Sequence, residues 1–522
     1  MKNISYLDMV KEILNESEFF EFEKCYNNPV KKSIKILNHR WYKNNKSDLH
    51  NIIYSTISKE WDLSEPEFSY NWNKYNDVLF ATRKENLKSS SLWSHFLHQV
   101  GLIYVQEMAA SLSVQMLWVE PWDYVLDMCA APWGKSVQIA DRLTDWFLIS
   151  NEIDQWRKKA LESNLHRCGL FNVWVINQDW CIIWDKFPET FDKVLVDAPC
   201  SWEWMQYKSD KKVWQRDEKK SKKLSDLQIQ LLISWLKSLK AWGELVYSTC
   251  TTNVLENEYV VSEVLKEYWD KIELLQVPLD EKSDWICSWR WNEILSSENA
   301  KKVARLWPHV QKTWGFFIAK FRKIKPPFDK GGAEWNEADG LNKCLAISRG
   351  NVACDKGVKI PLGSAVSPFK KGEQKNIPPL SPLIKGGREV LLNWWISPNS
   401  DLDFFVSKYT VNVAPKSLIQ SHFENKISNI EIWLPIFKIV KDNRNHTEKL
   451  IPLVWIAQIF GHLATENVLE ITNEQLKSLM EKGDLIDDRL TDYEWNFVIL
   501  KWNWMWVWLV SVQKWIWKNK CF

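Results

Sequence analysis

Between about Tyr104 and Lys323 the chain alternates short apolar, β-rich runs with longer amphipathic stretches. Residues 123–128, 146–150, 173–177, 193–197 and 244–248 read as strands, and 135–143, 155–168 and 224–239 as helices. Strands alternating with helices predict an α/β unit built on a doubly wound parallel sheet, with ligands at the carboxyl ends of the strands. Residues 1–88 read as a small mixed α+β domain. The stretch after about residue 390 reads as a second mixed domain ending in closely spaced short strands.

Residues 325–390 break this pattern. Related units recur at 326–332 (Pro-Pro-Phe-Asp-Lys-Gly-Gly), 367–373 (Ser-Pro-Phe-Lys-Lys-Gly-Glu) and 381–387 (Ser-Pro-Leu-Ile-Lys-Gly-Gly). Spaced Pro and Gly without apolar periodicity predict an inserted, disordered linker that does no chemistry. Four regions follow: 1–88, 89–324, 325–390 and 391–522.

Composition changes the picture in one respect. The 522 residues hold 68 Lys+Arg against 66 Asp+Glu, a net charge of +2 that excludes a strongly basic coat protein but allows a local basic patch. No apolar run is long enough for a membrane span or export signal. The 10 cysteines show no zinc spacing and read as reduced thiols, so the expectation is a cytoplasmic protein without metal. Glycine and tryptophan are the anomaly. There are 16 Gly and 35 Trp, where an average near ~7% would give roughly 37 Gly. Nine of those 16 glycines lie within residues 325–387, beside a single Trp, Trp335.

Three motifs fall at predicted strand ends. Asp127-Met-Cys-Ala-Ala-Pro-Trp-Gly-Lys-Ser136 occupies the first strand-to-helix turn, where backbone N–H groups can approach a ligand. Glu152, after the next strand, is placed to accept hydrogen bonds from ribose hydroxyls, and Asp179, after the third, to reach an adenine edge; an ordinary βα corner with solvated carboxylates is equally compatible. Asp197-Ala-Pro-Cys200 and Tyr247-Ser-Thr-Cys250-Thr end two further strands. Each cysteine alone is more often a small buried hydrophobe. Two of them facing one crevice beside Asp197 point instead to a thiolate nucleophile. Between these motifs Lys208, Lys211, Lys212, Arg216, Lys219, Lys220, Lys222 and Lys223 outnumber Asp210, Asp217 and Glu218. Such a run is usually a solvated helix face; here it reads as a loop that contacts phosphates. Lys514, Lys518 and Lys520 extend that basic character to the tail.

On these motifs the chain resembles the Sun (Fmu) type RNA cytosine-5 methyltransferases, most closely the small-subunit ribosomal RNA methyltransferase F group. The pattern D-x-C-A-A-P-G-G-K matches 127–135, D-A-P-C-S-G-x-G-M matches 197–205 and Y-S-T-C-T matches 247–251. Residues 101–107 and the stretch from Trp307-Pro-His-Val to Gly315-Phe-Phe also fit, and the tail resembles that group's PUA-like RNA-binding domain. The resemblance implies a Rossmann-like class I methyltransferase domain between an N-terminal α+β domain and a C-terminal PUA-like domain. It implies S-adenosyl-L-methionine held by Cys129, Ala130, Ala131, Pro132, Trp133, Gly134, Lys135, Glu152, Asp179 and Asp197. It implies Cys250 as the nucleophile on cytosine C6, Asp197 on the base edge and Cys200 in release, with Lys135 helping to keep a neighbouring thiol ionised. The substrate is an RNA held by Lys208, Lys211, Lys212 and Arg216, with ribosomal RNA favoured over transfer RNA and the enzyme a monomer. The target base must be unpaired or flipped out to expose C6.

The departures share one direction. Trp133, Trp202, Trp204, Trp242 and Trp314 stand where the family has Gly, and Trp495, Trp504, Trp506, Trp508 and Trp515 stand where the tail pattern wants Gly. Drift does not choose the largest side chain at turns that need the smallest. The expectation is a gene in which UGA encodes glycine, rendered here as tryptophan, with Trp214, Trp307 and Trp502 as genuine tryptophans. Were all the tryptophans real, indoles at 133, 202 and 204 would crowd the cofactor and cytosine sites, leaving a non-catalytic RNA-binding relative.

Overall fold

The computed structural model describes residues 4–324 except 27–31, 39–45, 65–77, 84–90, 131–133, 144–146, 171, 180–186, 202–214, 217, 280–285 and 291. Beyond these it describes 402–406, 410–415, 434–442, 447–452, 468–472, 474–476, 484–485, 497–502, 505–513 and 516–518. The expectations for Ala131, Pro132, Trp133, Trp202, Trp204, Lys208, Lys211, Lys212, Trp214 and the 325–390 insert lie outside the described residues. So do those for Trp495, Trp504, Lys514, Trp515 and Lys520, and for the side chains of Trp502, Trp506 and Trp508.

The central domain follows the expected alternation. Its elements are β1 (Val125–Asp127), α1 (Lys135–Arg142), β2 (Leu148–Asn151), α2 (Gln155–Arg167), β3 (Val173–Ile176), β4 (Phe191–Asp197), α3 (Glu218–Ser238), β5 (Leu239–Thr249), α4 (Glu258–Tyr268), β6 (Ile272–Leu275), β7 (Ala304–Leu306) and β8 (Phe316–Lys323). The sheet runs β6-β8-β5-β4-β1-β2-β3, with β7 on the free part of β8. Strands β5, β4, β1, β2 and β3 are parallel, whereas β8 is antiparallel to β5, β6 and β7. The sheet is therefore mixed, not wholly parallel as expected. The reversal at β8 follows from the chain re-entering between β5 and β6.

Both faces of the sheet are buried, so successive strand residues serve opposite layers. Leu126, Val194, Val196, Leu245 and Tyr247 pack on one side, while Val125, Leu195 and Val246 pack on the other. Helix α3 begins at Glu218, earlier than the expected Leu224. Glu and Lys are good helix formers but carry no apolar period, so the charged first turns leave no hydrophobic signature. The second half of the basic run is thus helix, not loop.

Ahead of this domain, Trp61–Ser64, Val78–Arg83, Lys32–Ile36 and Ile103–Gln106 form an antiparallel sheet in that order. Its core joins Ile34, Ile36, Ile53 and Ile103 to Leu469 and Leu500 from the tail. Lys35 is paired with Asp141 of α1 at 3.1 Å, both side chains fully buried. The two N-terminal helices, Tyr6–Lys11 and Glu16–Tyr26, set Met9, Val10 and Phe22 against Trp307. In the tail, 402–452 contributes a four-stranded antiparallel sheet and 468–518 a five-stranded one. Among the described residues no helix is long and apolar enough to cross a membrane, and no group of three His, Cys, Asp or Glu could hold a metal.

Candidate active site

The carboxyl ends of β1, β2, β4 and β5 converge, as the crossover geometry requires. Asp127 closes β1 with its side chain fully buried; its Oδ2 accepts from Ser136 at 2.6 Å, while Oδ1 has no hydrogen-bond partner among the described residues. Burial pushes this carboxyl up to about 7, against the Ser136 hydrogen bond and helped by the charge of Asp197. Glu152, just past β2, is buried; its Oε1 accepts from the Asp154 N–H at 2.9 Å and its Oε2 lies 3.6 Å from Arg157. Asp179 is half-buried beyond β3.

The turn after β1 is held by the neighbouring strand. Ala130 N–H donates to the Asn151 carbonyl, and the Asn151 amide bridges to Gln178. Gly134 precedes α1 with no side-chain cap. A Cβ there would come within 2.3 Å of the Tyr104 ring, so only glycine lets the helix start this close to Tyr104.

At the ends of β4 and β5 the two cysteines meet, with Cys200 Sγ 3.0 Å from Cys250 Sγ. Beside them Lys135 Nζ donates to Asp197 Oδ2 at 2.7 Å, and Ser248 Oγ donates to Asp197 Oδ1 at 3.0 Å. Burial pulls the Lys135 ammonium down, but Asp197 and then Cys250 outweigh it, so its pKa is raised. The Lys135 ammonium thus stands close to the Cys250 thiol. Cys129 differs: burial, then Glu152, Asp197 and Asp127, hold its thiol far above the ordinary range. It can line a site but is a poor nucleophile.

Of the residues singled out in the sequence, Cys129, Ala130, Gly134, Lys135, Glu152, Asp179, Asp197, Cys200 and Cys250 lie on these strand ends and their loops. Arg216 lies instead in a short ladder with Ile4 near the N-terminus. Three residues a few positions beyond the Cys250 motif escaped the sequence reading: Glu256, Asn257 and Glu258 are all buried. Their signal was a polar tripeptide opening a helix whose next turn is apolar.

The family described as 16S rRNA methyltransferase RsmB/F matches residues 114–322. The ribosomal RNA small subunit methyltransferase F of Photobacterium profundum is 29% identical over 323 residues, covering 61% of this chain and 63% of that one. Its counterpart from Erwinia tasmaniensis is 32% identical over 261 residues, 48% of this chain and 52% of the other. The chain thus spans under two thirds of the length of these relatives. A solved methyltransferase homolog from Pyrococcus horikoshii is 26% identical, with a TM-score of 0.48 over 60% of this chain and 97% of that one. Residues 114–322, which hold the paired cysteines, thus match the RsmB/F family of methyltransferases.

Proposed function

We propose that this protein methylates C5 of a cytosine in small-subunit ribosomal RNA, using S-adenosyl-L-methionine. The observation that carries the reading is the pair Cys200 and Cys250, 3.0 Å apart at adjacent strand ends beside the Lys135–Asp197 ion pair. The residues present fit the cofactor. An Asp127 oxygen without a partner among the described residues, the buried carboxylate of Glu152 and the uncapped start of α1 lie at neighbouring strand ends. Glu152 would accept from ribose hydroxyls, Asp179 would meet the adenine edge, and residues 129–135 would line the rest of the cofactor site. When bound, the cofactor supplies an electrophilic methyl group on a positively charged sulfur.

The chemistry of the chain's own groups follows. The Cys250 thiolate adds to C6, forming an S–C6 bond and moving the C5=C6 electron pair to C5, which then takes the methyl group. Asp197, oriented by Lys135 and Ser248, holds the base edge near N3 and N4. The Cys200 thiolate removes the C5 proton; the pair left behind re-forms C5=C6 and expels Cys250. Lys208, Lys211, Lys212 and Arg216 contact RNA phosphates, assisted by the N-terminal α+β domain and a PUA-like C-terminal domain. The enzyme works as a cytoplasmic monomer without metal.

The test is methyl transfer to a small-subunit rRNA transcript, with 5-methylcytosine read by nucleoside mass spectrometry. Cys250→Ala should abolish transfer, and Cys200→Ala should leave a denaturant-stable protein–RNA adduct. Transfer to a tRNA transcript alone would redirect the substrate. RNA binding with no transfer would leave a non-catalytic relative.

A further inference from the structure

Between the Cys250 motif and helix α4 the chain makes one tight turn, and the residues closing it face back toward the two thiols. Asn257 brackets Cys250. Its Oδ1 accepts from the Thr249 hydroxyl at 2.6 Å, and its Nδ2 donates to the Thr251 carbonyl at 3.0 Å. One amide thus fixes the residues on both sides of the cysteine, using its acceptor for one and its donor for the other.

Glu256 does the equivalent for the other motif. Its Oε2 accepts from the backbone N–H of Ser201, next to Cys200, at 2.9 Å and from Gln228 Nε2 at 3.2 Å. Its Oε1 accepts from Asn253 Nδ2 at 2.7 Å. Gln228 in turn donates to the Pro199 carbonyl at 2.9 Å, so the Cys200 loop is held before and after the thiol. A fully buried carboxylate is costly unless its lone pairs are filled, and here three N–H donors fill them.

We infer that Glu256 and Asn257 are a matched pair of positioning residues, Glu256 setting Cys200 for the release step and Asn257 setting Cys250 for addition. The inference rests on the methyltransfer reading given above and adds a division of labour to it. Both act through the residues that flank the two sulfurs. Each fixes the backbone flanking one sulfur, and misplacing a reacting atom by about 1 Å is worth on the order of 100-fold in rate.

The division makes the two variants fail differently. With full-length protein, radiolabelled methyl donor and a small-subunit rRNA transcript, methyl transfer and denaturant-stable adduct are measured side by side. In E256Q the substituted amide turns an N–H₂ toward donors that need an acceptor. Addition should continue while release slows, so turnover falls about 10–100-fold and adduct accumulates, as in C200A. Q228L, which leaves Glu256 in place, should show the same signature more weakly and serves if E256Q does not fold. N257A should instead lower adduct formation about 10–100-fold, also in the C200A background where release is already blocked. T249V should reproduce part of that loss. Wild-type adduct levels in folded E256Q and Q228L, or unchanged addition in folded N257A and T249V, would overturn the positioning role alone. Absence of any adduct in C200A, with no transfer by the wild type, would overturn the methyltransfer reading itself.

Discussion

Arg305 closes on both carboxylate oxygens of Glu258, at 2.8 Å to Oε1 and 2.5 Å to Oε2, with both side chains buried. The same guanidinium donates to the Thr252 carbonyl at 2.7 Å. A strand edge and the first turn of α4 are thereby tied to the loop that follows Cys250. Removing one member leaves an uncompensated buried charge, which costs about 3–5 kcal/mol. Arg305→Met should lose about that much in urea denaturation. Arg305→Met with Glu258→Met should recover most of it, because two apolar side chains of similar volume replace the pair. A double variant as unstable as the single would show that the pair is not what Arg305 contributes.

The separation of Cys200 and Cys250 predicts an oxidation product. Each sulfur needs to move less than about 1 Å to reach the ~2.05 Å of a disulfide. A diazene oxidant such as diamide, which accepts the two electrons and two protons released, should join them. Intact mass should fall by about 2 Da, methyl transfer should stop, and dithiothreitol should restore both. Cys129, with its thiol held far up the scale, should not take part. A 200–250 cross-link absent from the digested, oxidised protein would contradict the geometry.

Asp127 gives stability a pH slope of known sign. Its carboxyl is pushed up to about 7, from an ordinary value of 3.8, chiefly by burial. Between those values the folded chain holds a proton that the unfolded chain has released. Stability therefore falls as pH rises through this window, by at most about 1.4 kcal/mol per pH unit from this group, and levels off above pH 7. Asp127→Asn keeps an acceptor for Ser136 and should flatten that part of the slope. Denaturation midpoints at pH 5, 6, 7 and 8 decide it: parallel wild-type and variant curves would refute the assignment.

Much of this site was legible because strand ends are local signals. Asp127, Glu152, Asp197, Cys200 and Cys250 each follow a short apolar run, and the doubly wound topology carries such positions to one edge. Glu256 and Asn257 were not, because their meaning is tertiary: Glu256 serves the Ser201 amide 55 residues earlier in the chain. Strand β8 was not read as a strand at all, and an apolar run carries no sign of its direction in a sheet. The start of α3 was missed because Lys-rich turns have no apolar period.

The stretch with Trp202 and Trp204 can be weighed directly. In protein from its native host, the tryptic peptide Val194–Lys208 carries both positions along with Asp197 and Cys200. Glycine at both would establish UGA as a glycine codon in this gene. Tryptophan at both would end that explanation of the Trp excess.

Two described tryptophans should respond to glycine with opposite signs. Trp242 has φ +67° inside β5, where the register with β4 shifts between Leu239 and Glu244, and its indole is 67% exposed. A bulge with positive φ is a glycine position. An L side chain there is strained by about 1–2 kcal/mol, and so exposed an indole has little packing to lose. Trp242→Gly should therefore stabilise the protein by about 1 kcal/mol. Trp307 is its opposite: extended at φ −112°, 2% exposed, and edge-on to Phe22 at 5.8 Å. Trp307→Gly removes the centre of the cluster holding the N-terminal helices, and truncating a buried Trp costs about 3–5 kcal/mol. Thermal melts of the two variants test both halves at once. Destabilisation by Trp242→Gly would mean that this bulge is built for a side chain and that the family's glycine pattern does not extend to it.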